Sequence, residues 1–298
     1  MQKHKYNPNR REIIWGFIFV LPALSLFLMF TYYPFISSFF YSFTDMVALR
    51  TEYSFIGLDN FKRIPSDRLV KAGVGNTVKF ALFTTLVSNT LNLLLALVLD
   101  SSLRIKKFLR VVFYFPCLLS SVIISAIFGN ILQFNGVFNE LFRILGWNAF
   151  VIDYFANIKA ALPMLMVLNI WQYCGYGAVI YLAGLQSIPT EYYEAATIDG
   201  AGKAGVFFRI TLPLLMPSVT IVSFIALTGG MKLFDLPYIL TKGGPMNSTE
   251  TIGTVIYKTA FAQKNLGYAT SISLTLFAII AILSIMQLSF TRNHEAEL

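Results

Sequence analysis

Six stretches of this chain, at about 13-32, 77-99, 111-132, 162-186, 212-230 and 269-290, stay apolar over nearly the length a helix needs to cross a membrane. A hydrocarbon core about 30 Å thick takes roughly 20 such residues in helical form. None of the six shows the ten-residue alternation of a membrane barrel. Helices satisfy their own backbone hydrogen bonds inside lipid, so the reading is an all-α polytopic bundle of six transmembrane helices. Charged residues make up only 13% of the 298, against about 25% in an average soluble domain. One membrane domain over 13-298, preceded by a polar tail at 1-12, accounts for the whole sequence.

The net charge of +8 serves topology first. Lys3, Lys5, Arg10 and Arg11 precede the first span, and Arg104, Lys106, Lys107 and Arg110 crowd the short loop before the third. Positive charge concentrated in short loops marks the cytoplasmic side, so both termini are expected inside. No basic face interleaved with aromatics suggests nucleic-acid binding. The apolar run Ile13 to Tyr33 is too long for a signal peptide and has no small-x-small end, so it is read as a retained span. Cys117 and Cys174 fall within spans, as packing residues rather than a disulfide framework.

Between the spans, 33-76, 133-161 and 231-268 are expected outside, the first as short surface helices interrupted by Pro34, Gly57, Pro65 and Gly73. Pro116 falls early in the third span, where a missing N–H is tolerated. No G-x-x-x-x-G-K-[ST] loop, H-E-x-x-H or G-x-S-x-G is present, and the two histidines, His4 and His294, lie in the tails. No catalytic residue and no metal site are therefore assigned. Charge near the middle of any span is missing, which disfavours an ion-coupled transporter.

The insert at 187-211 is the most polar break between apolar segments. Thr190 suits an N-cap, Glu191 and Glu194 suit a first turn, and Ala195 and Ala196 are strong helix formers. A helix to about Ile198, a turn at Asp199-Gly200 and a second short helix over Lys203 to Ile210 make an elbow. Its small residues Ala195, Ala196, Gly200, Ala201 and Gly202 leave a low surface, and Glu194 offers a carboxylate. An ordinary polar loop would be built in much the same way.

A family resemblance separates these readings. Glu194, Ala195, Ala196, Gly200, Ile210, Leu212 and Pro213 resemble the E-A-A-x-x-x-G-(x)-I-x-L-P signature of ABC importer permeases at each fixed position. Phe234-Asp235-Leu236-Pro237 through Lys242-Gly243-Gly244-Pro245, with Ser248-Thr249-Glu250-Thr251, Ala260-Phe261 and Gly267-Tyr268-Ala269, is similar to carbohydrate permeases of the maltose and glycerol-3-phosphate type. So are Ala183-Gly184-Leu185-Gln186-Ser187-Ile188-Pro189, Leu21-Pro22-Ala23 and Tyr33-Pro34. By itself, Gly243-Gly244-Pro245 reads as a β-turn.

The resemblance implies a type I ABC importer permease fold in a bacterial or archaeal inner membrane. It implies that 187-211 is a cytoplasmic coupling loop, with Glu194, Ala195, Ala196, Asp199, Gly200, Ala201, Arg209, Leu212 and Pro213 facing or supporting an ATPase. Implied partners are a second, homologous permease, usually a different chain, two ATPase subunits and an extracellular solute-binding protein. ATP and Mg would sit on the ATPase, and no cofactor is expected on this chain. The cargo implied is a sugar or oligosaccharide; glycerol-phosphodiesters, polyamines or peptides are the alternatives. The enlarged extracellular domain of the maltose-specific subunit is missing.

A sugar path needs hydrogen-bonding and aromatic side chains on one helix face. Thr85, Ser88, Asn89 and Asn92 share a stripe at i, i+3, i+4 and i+7, and Asn169, Gln172, Tyr173 and Tyr176 repeat that spacing, with Gly175 and Gly177 permitting close approach. Such stripes also tie helix to helix. Lys232, Phe234 and Asp235, at the outer end of the fifth span, either meet substrate or a delivering protein, or hold a turn by local ion pairing and packing.

Overall fold

The computed structural model describes residues 9-48, 50, 52-101 and 103-292; Lys3, Lys5, His4, His294 and Ser102 lie outside them. Apart from isolated bridges at Thr44–Phe55 and Val47–Asn265, the described residues form helices and their connections. Among them five helices are long and apolar enough to cross a membrane, or six if one bent pair is a single span.

The chain opens with α1 (Arg10–Phe27), a π-helical turn (Leu28–Tyr32) and α2 (Tyr33–Tyr41), which run on as one rod. The span expected to stop near residue 32 therefore continues past Pro34. The wider π turn just before the proline gives its ring room without breaking the axis. No residue of this span's most apolar stretch is buried, and the rod reaches the bundle through α2, where Phe35 meets Phe277 edge-on at 5.6 Å. Short α3 (Asp59–Arg63) and a 3-10 turn (Ile64–Ser66) follow.

Helix α4 (Arg68–Asp100) starts nine residues before the expected 77 because Asp67 caps it, accepting from Leu69 N at 2.8 Å and Val70 N at 3.3 Å. Tyr268 also donates to the Asp67 carboxylate, at 3.0 Å, and the Arg63 guanidinium covers that tyrosine ring.

The third span is the main departure from expectation. Instead of one helix over 111-132, α5 (Lys106–Leu118) and α6 (Ser121–Ile131) meet at 97°. Leu119 and Ser120 take extended backbone, and the Ser120 hydroxyl accepts from Ile123 N at 3.3 Å, starting a new helix. Pro116 sits in the last turns of α5, not at the start of a long span.

After α7 (Val137–Ile144), α8 (Ala161–Ser187) matches its expected span closely. Next come α9 (Thr190–Ile198) and α10 (Lys203–Val206), followed by a π turn (Phe207–Thr211) and the single turn α11 (Leu212–Leu214). Thr190 is the first residue of α9 rather than its cap; Pro189 holds the cap position with extended backbone. Helix α12 (Met216–Met231) carries Pro217 in its first turn and leads into α13 (Asp235–Leu240); α14 (Ile252–Tyr257) and α15 (Leu266–Arg292) complete the chain.

Apolar clusters among the described residues join the long helices. Phe80, Ile124, Leu165 and Leu236 join α4, α6, α8 and α13, while Ala96, Leu99, Tyr181, Leu182, Leu215 and Val222 join α4, α8 and α12. Ala81, Met231, Val255, Ile272 and Leu276 tie α14 and α15 to α4 and α12. Helix α8 comes very close to its neighbours, since a Cβ on Gly175 would strike the Phe113 carbonyl of α5 and one on Gly177 the Asn92 amide of α4.

Candidate functional site

Where α4, α6, α8 and the α12–α13 junction converge, a cavity of about 300 Å³ opens inside the bundle. Asn92 of α4, Asn169, Gln172, Tyr173 and Tyr176 of α8, and Lys232 and Asp235 of the junction all line it. Polar groups from separate stripes of the sequence thus share one wall. Apolar Ile180, Val222, Ile225 and Leu236 stand among the other lining residues.

Asn89 goes elsewhere. Its Oδ1 accepts from Tyr181 OH at 2.6 Å and from Ser223 Oγ at 3.1 Å, joining α4, α8 and α12, and its Nδ2 donates to Thr85 O. The cavity face of α4 is instead Thr84, Ser88 and Asn92, spaced i, i+4 and i+8. That spacing is present in the sequence, and Thr84 went unselected beside the broader Thr85–Asn92 stripe. Ser121, the first residue of α6, was also missed because only the bend brings it to the wall.

Gln172 is 1% exposed, and its Nε2 donates to Leu119 O at 3.1 Å. The contact satisfies a carbonyl that the bend leaves outside the helical ladder. Gln172 therefore supports the bend from α8 while its residue lines the cavity.

Lys232 and Asp235 form no ion pair with each other or with other described residues, so the expected local pairing is not what holds this turn. Thr251 does so, donating to Leu233 O at 2.9 Å, with Phe234, Tyr238 and Tyr257 packed ring against ring at 4.7 to 5.2 Å. Gly243-Gly244-Pro245, read as a β-turn, lies in a loop with a cis Gly244–Pro245 bond, pinned by Thr249 to Gly244 O at 2.7 Å.

At the other end of α8 the elbow is built as its sequence suggests. Gly200 turns the chain at φ +72, and Ala201 N returns to Ala196 O at 2.9 Å, closing α9. The Tyr193 hydroxyl lies 3.3 Å from that of Thr211, tying the two arms together. Ala195, Ala196, Asp199, Ala201 and Arg209 line a concave groove between the arms. Glu194 and Gly200 are exposed beside it, and Leu212 and Pro213 are half-buried at its root. Ile198 and Phe208 add apolar surface at 86% and 65% exposure, a feature the polar reading of this loop overlooked.

The profile of the family described as "Binding-protein-dependent transport system inner membrane component" matches residues 88–293. The chain is 34% identical over 281 residues to the "Multiple sugar-binding transport system permease protein MsmF" of Streptococcus mutans, covering 94% of this chain and 96% of that protein. It is 30% identical to the "Lactose transport system permease protein LacF" of Rhizobium radiobacter, covering 94% and 95%. In fold it is similar to a chain of a bacterial ABC transporter involved in the import of the acidic polysaccharide alginate, with TM-score 0.82 and 23% identity over 95% of this chain and 96% of that one.

Proposed function

This chain belongs to the family of binding-protein-dependent transport system inner membrane components, and from that premise we propose that it is the permease subunit of an ATP-driven sugar or oligosaccharide importer. The observation carrying the cargo assignment is the cavity. Amide and phenol groups of Asn92, Asn169, Gln172, Tyr173 and Tyr176 offer both donors and acceptors beside aromatic faces, as a polyhydroxylated ring requires. The names of the relatives, multiple sugars and lactose among them, support the same class.

The chain itself performs no chemistry in this reading. Two ATPase subunits would hold ATP and Mg, a second and different permease would complete the pathway, and an extracellular binding protein would deliver the sugar. Closure of the ATPase pair drives the elbow through Glu194, Asp199, Gly200 and Arg209. Helix α8 joins that elbow directly to Gln172 and Tyr173, so displacement at the ATPase reaches the cavity through one continuous helix.

Reconstitution of the importer in liposomes with its binding protein provides the test. Loaded binding protein should stimulate ATP hydrolysis, Glu194→Lys or Gly200→Glu should abolish that stimulation, and Tyr173→Ala should slow uptake while leaving assembly intact. Uptake that persists with both elbow variants would refute the coupling role. Uptake of spermidine or a peptide in place of any glycan would refute the cargo.

A further inference from the structure

Helix α7 carries an apolar stripe that the transport reading leaves unused. Val137, Leu141, Ile144 and Leu145 follow one another at i, i+4, i+7 and i+8, and are 75%, 50%, 75% and 50% exposed. The adjoining arc, Phe138 and Phe142, packs against Tyr154 and Leu168. The charged arc is closed on itself, since Arg143 binds Glu140 at 2.9 Å and Phe134 O at 3.1 Å.

The mounting is rigid. Asn139 is fully buried and its amide donates to Gln133 O, Phe134 O and Ile152 O at 3.2, 3.1 and 2.7 Å. Phe142 packs at a tilt against Trp147 and Phe150, and Tyr154 donates to Phe150 O. A stripe held this firmly has a fixed neighbour.

Its depth identifies that neighbour. Leu168, in the cluster beneath α7, lies seven residues into the spanning helix α8, about 10 Å along its axis. The flanking segments expose apolar side chains too, Ile123 and Ile127 of α6 and Phe134 before α7, and Trp147 just after it is 55% exposed. Aromatic residues of that kind concentrate where headgroups meet acyl chains.

We propose that α7 lies in the plane of the membrane on the side opposite the elbow, with Val137, Leu141 and Ile144 among the lipid acyl chains and Glu140 and Arg143 at the headgroups. It is a lipid-binding surface that anchors the segment between α6 and α8.

The test uses the complete importer, purified through this chain into phosphatidylcholine–phosphatidylglycerol nanodiscs. Nitroxide labels go on Val137→Cys, Ile144→Cys and Glu140→Cys with Cys117 and Cys174 changed to serine. Labels at 137 and 144 should collide severalfold more with oxygen than with a water-soluble nickel chelate, and the label at 140 should show the reverse. Nickel collisions at the aqueous level at 137 and 144 would overturn the proposal. Low collisions with both reagents would overturn it in favour of a protein partner. A cysteine-independent arm keeps Trp147 and changes Trp15 and Trp171 to phenylalanine; brominated lipids should remove about half of its emission. Unquenched emission would overturn the proposal as well.

Discussion

Lys258 Nζ lies 2.6 Å from Glu250 Oε2, and the carboxylate it neutralises is completely buried. Lys258 also donates to Lys242 O at 2.9 Å, while Asn76 of α4 donates to the carbonyls of Asn247 and Glu250. The pair thus fastens the 242-250 loop to the bundle. Removing one partner of a buried pair costs about 3–5 kcal/mol because the other charge stays in place without compensation. Lys258→Ala, which strands the buried Glu250, should therefore lower the thermal unfolding midpoint of the purified importer markedly, and Glu250→Ala, which leaves only the part-exposed Lys258, should lower it less, both read by scanning fluorimetry. Wild-type midpoints would show the pair to be dispensable.

Two glycines with positive φ should respond differently to alanine. Gly200, at +72, has open space where a Cβ would go, so Gly200→Ala should cost only the left-handed backbone penalty of about 1–2 kcal/mol. At Gly243, φ +83, the added Cβ would run into the Glu250 carboxylate, and the loss should be clearly larger. Midpoints of the two variants in the same detergent would test the order.

Asn89 and Asn92 are one turn apart on α4 and should fail in different ways. Asn89→Ala leaves the buried Tyr181 hydroxyl without its acceptor, a loss of about 1–3 kcal/mol, and should lower stability with the KM for uptake unchanged. Asn92→Ala should instead raise that KM, because Asn92 lines the cavity. Transport kinetics in proteoliposomes together with unfolding midpoints would separate them, and a raised KM for Asn89→Ala would contradict the assignment.

Gln172→Met keeps the volume of the side chain and removes the donor to Leu119 O. Amide hydrogen exchange over residues 117-124 should then rise, and stability should fall by about 1 kcal/mol for the lost hydrogen bond. Unchanged exchange would mean that the bend stands without α8.

Much of the molecule was legible because its signals are linear. Span positions follow from runs of apolar residues, and the elbow from Glu194, Ala195, Ala196, Gly200 and Pro213 at fixed spacing, all within one stretch of chain. Asn89 stays open in the sequence between cavity and helix contact for a different reason. A polar stripe records which side chains share a helix face, and says nothing about whether that face meets Tyr181 and Ser223 or open space. The bend at Leu119–Ser120 left even less trace, since two extended residues in an apolar run do not change its hydropathy. Lys232 and Asp235 invited pairing by proximity along the chain, and their turn is held by Thr251, which comes from farther on.

The bend has one more consequence. At 1.5 Å per residue, α5 measures about 20 Å and α6 about 16 Å, so neither half alone covers a hydrocarbon layer of about 30 Å. The Leu119 carbonyl left outside the ladder at their junction accepts from the Gln172 amide, and Gly175 lets α8 come close against α5 at Phe113. Helix α8 is in this sense a buttress for the bent segment, and a change at Gln172 would loosen the bend and alter the cavity wall together.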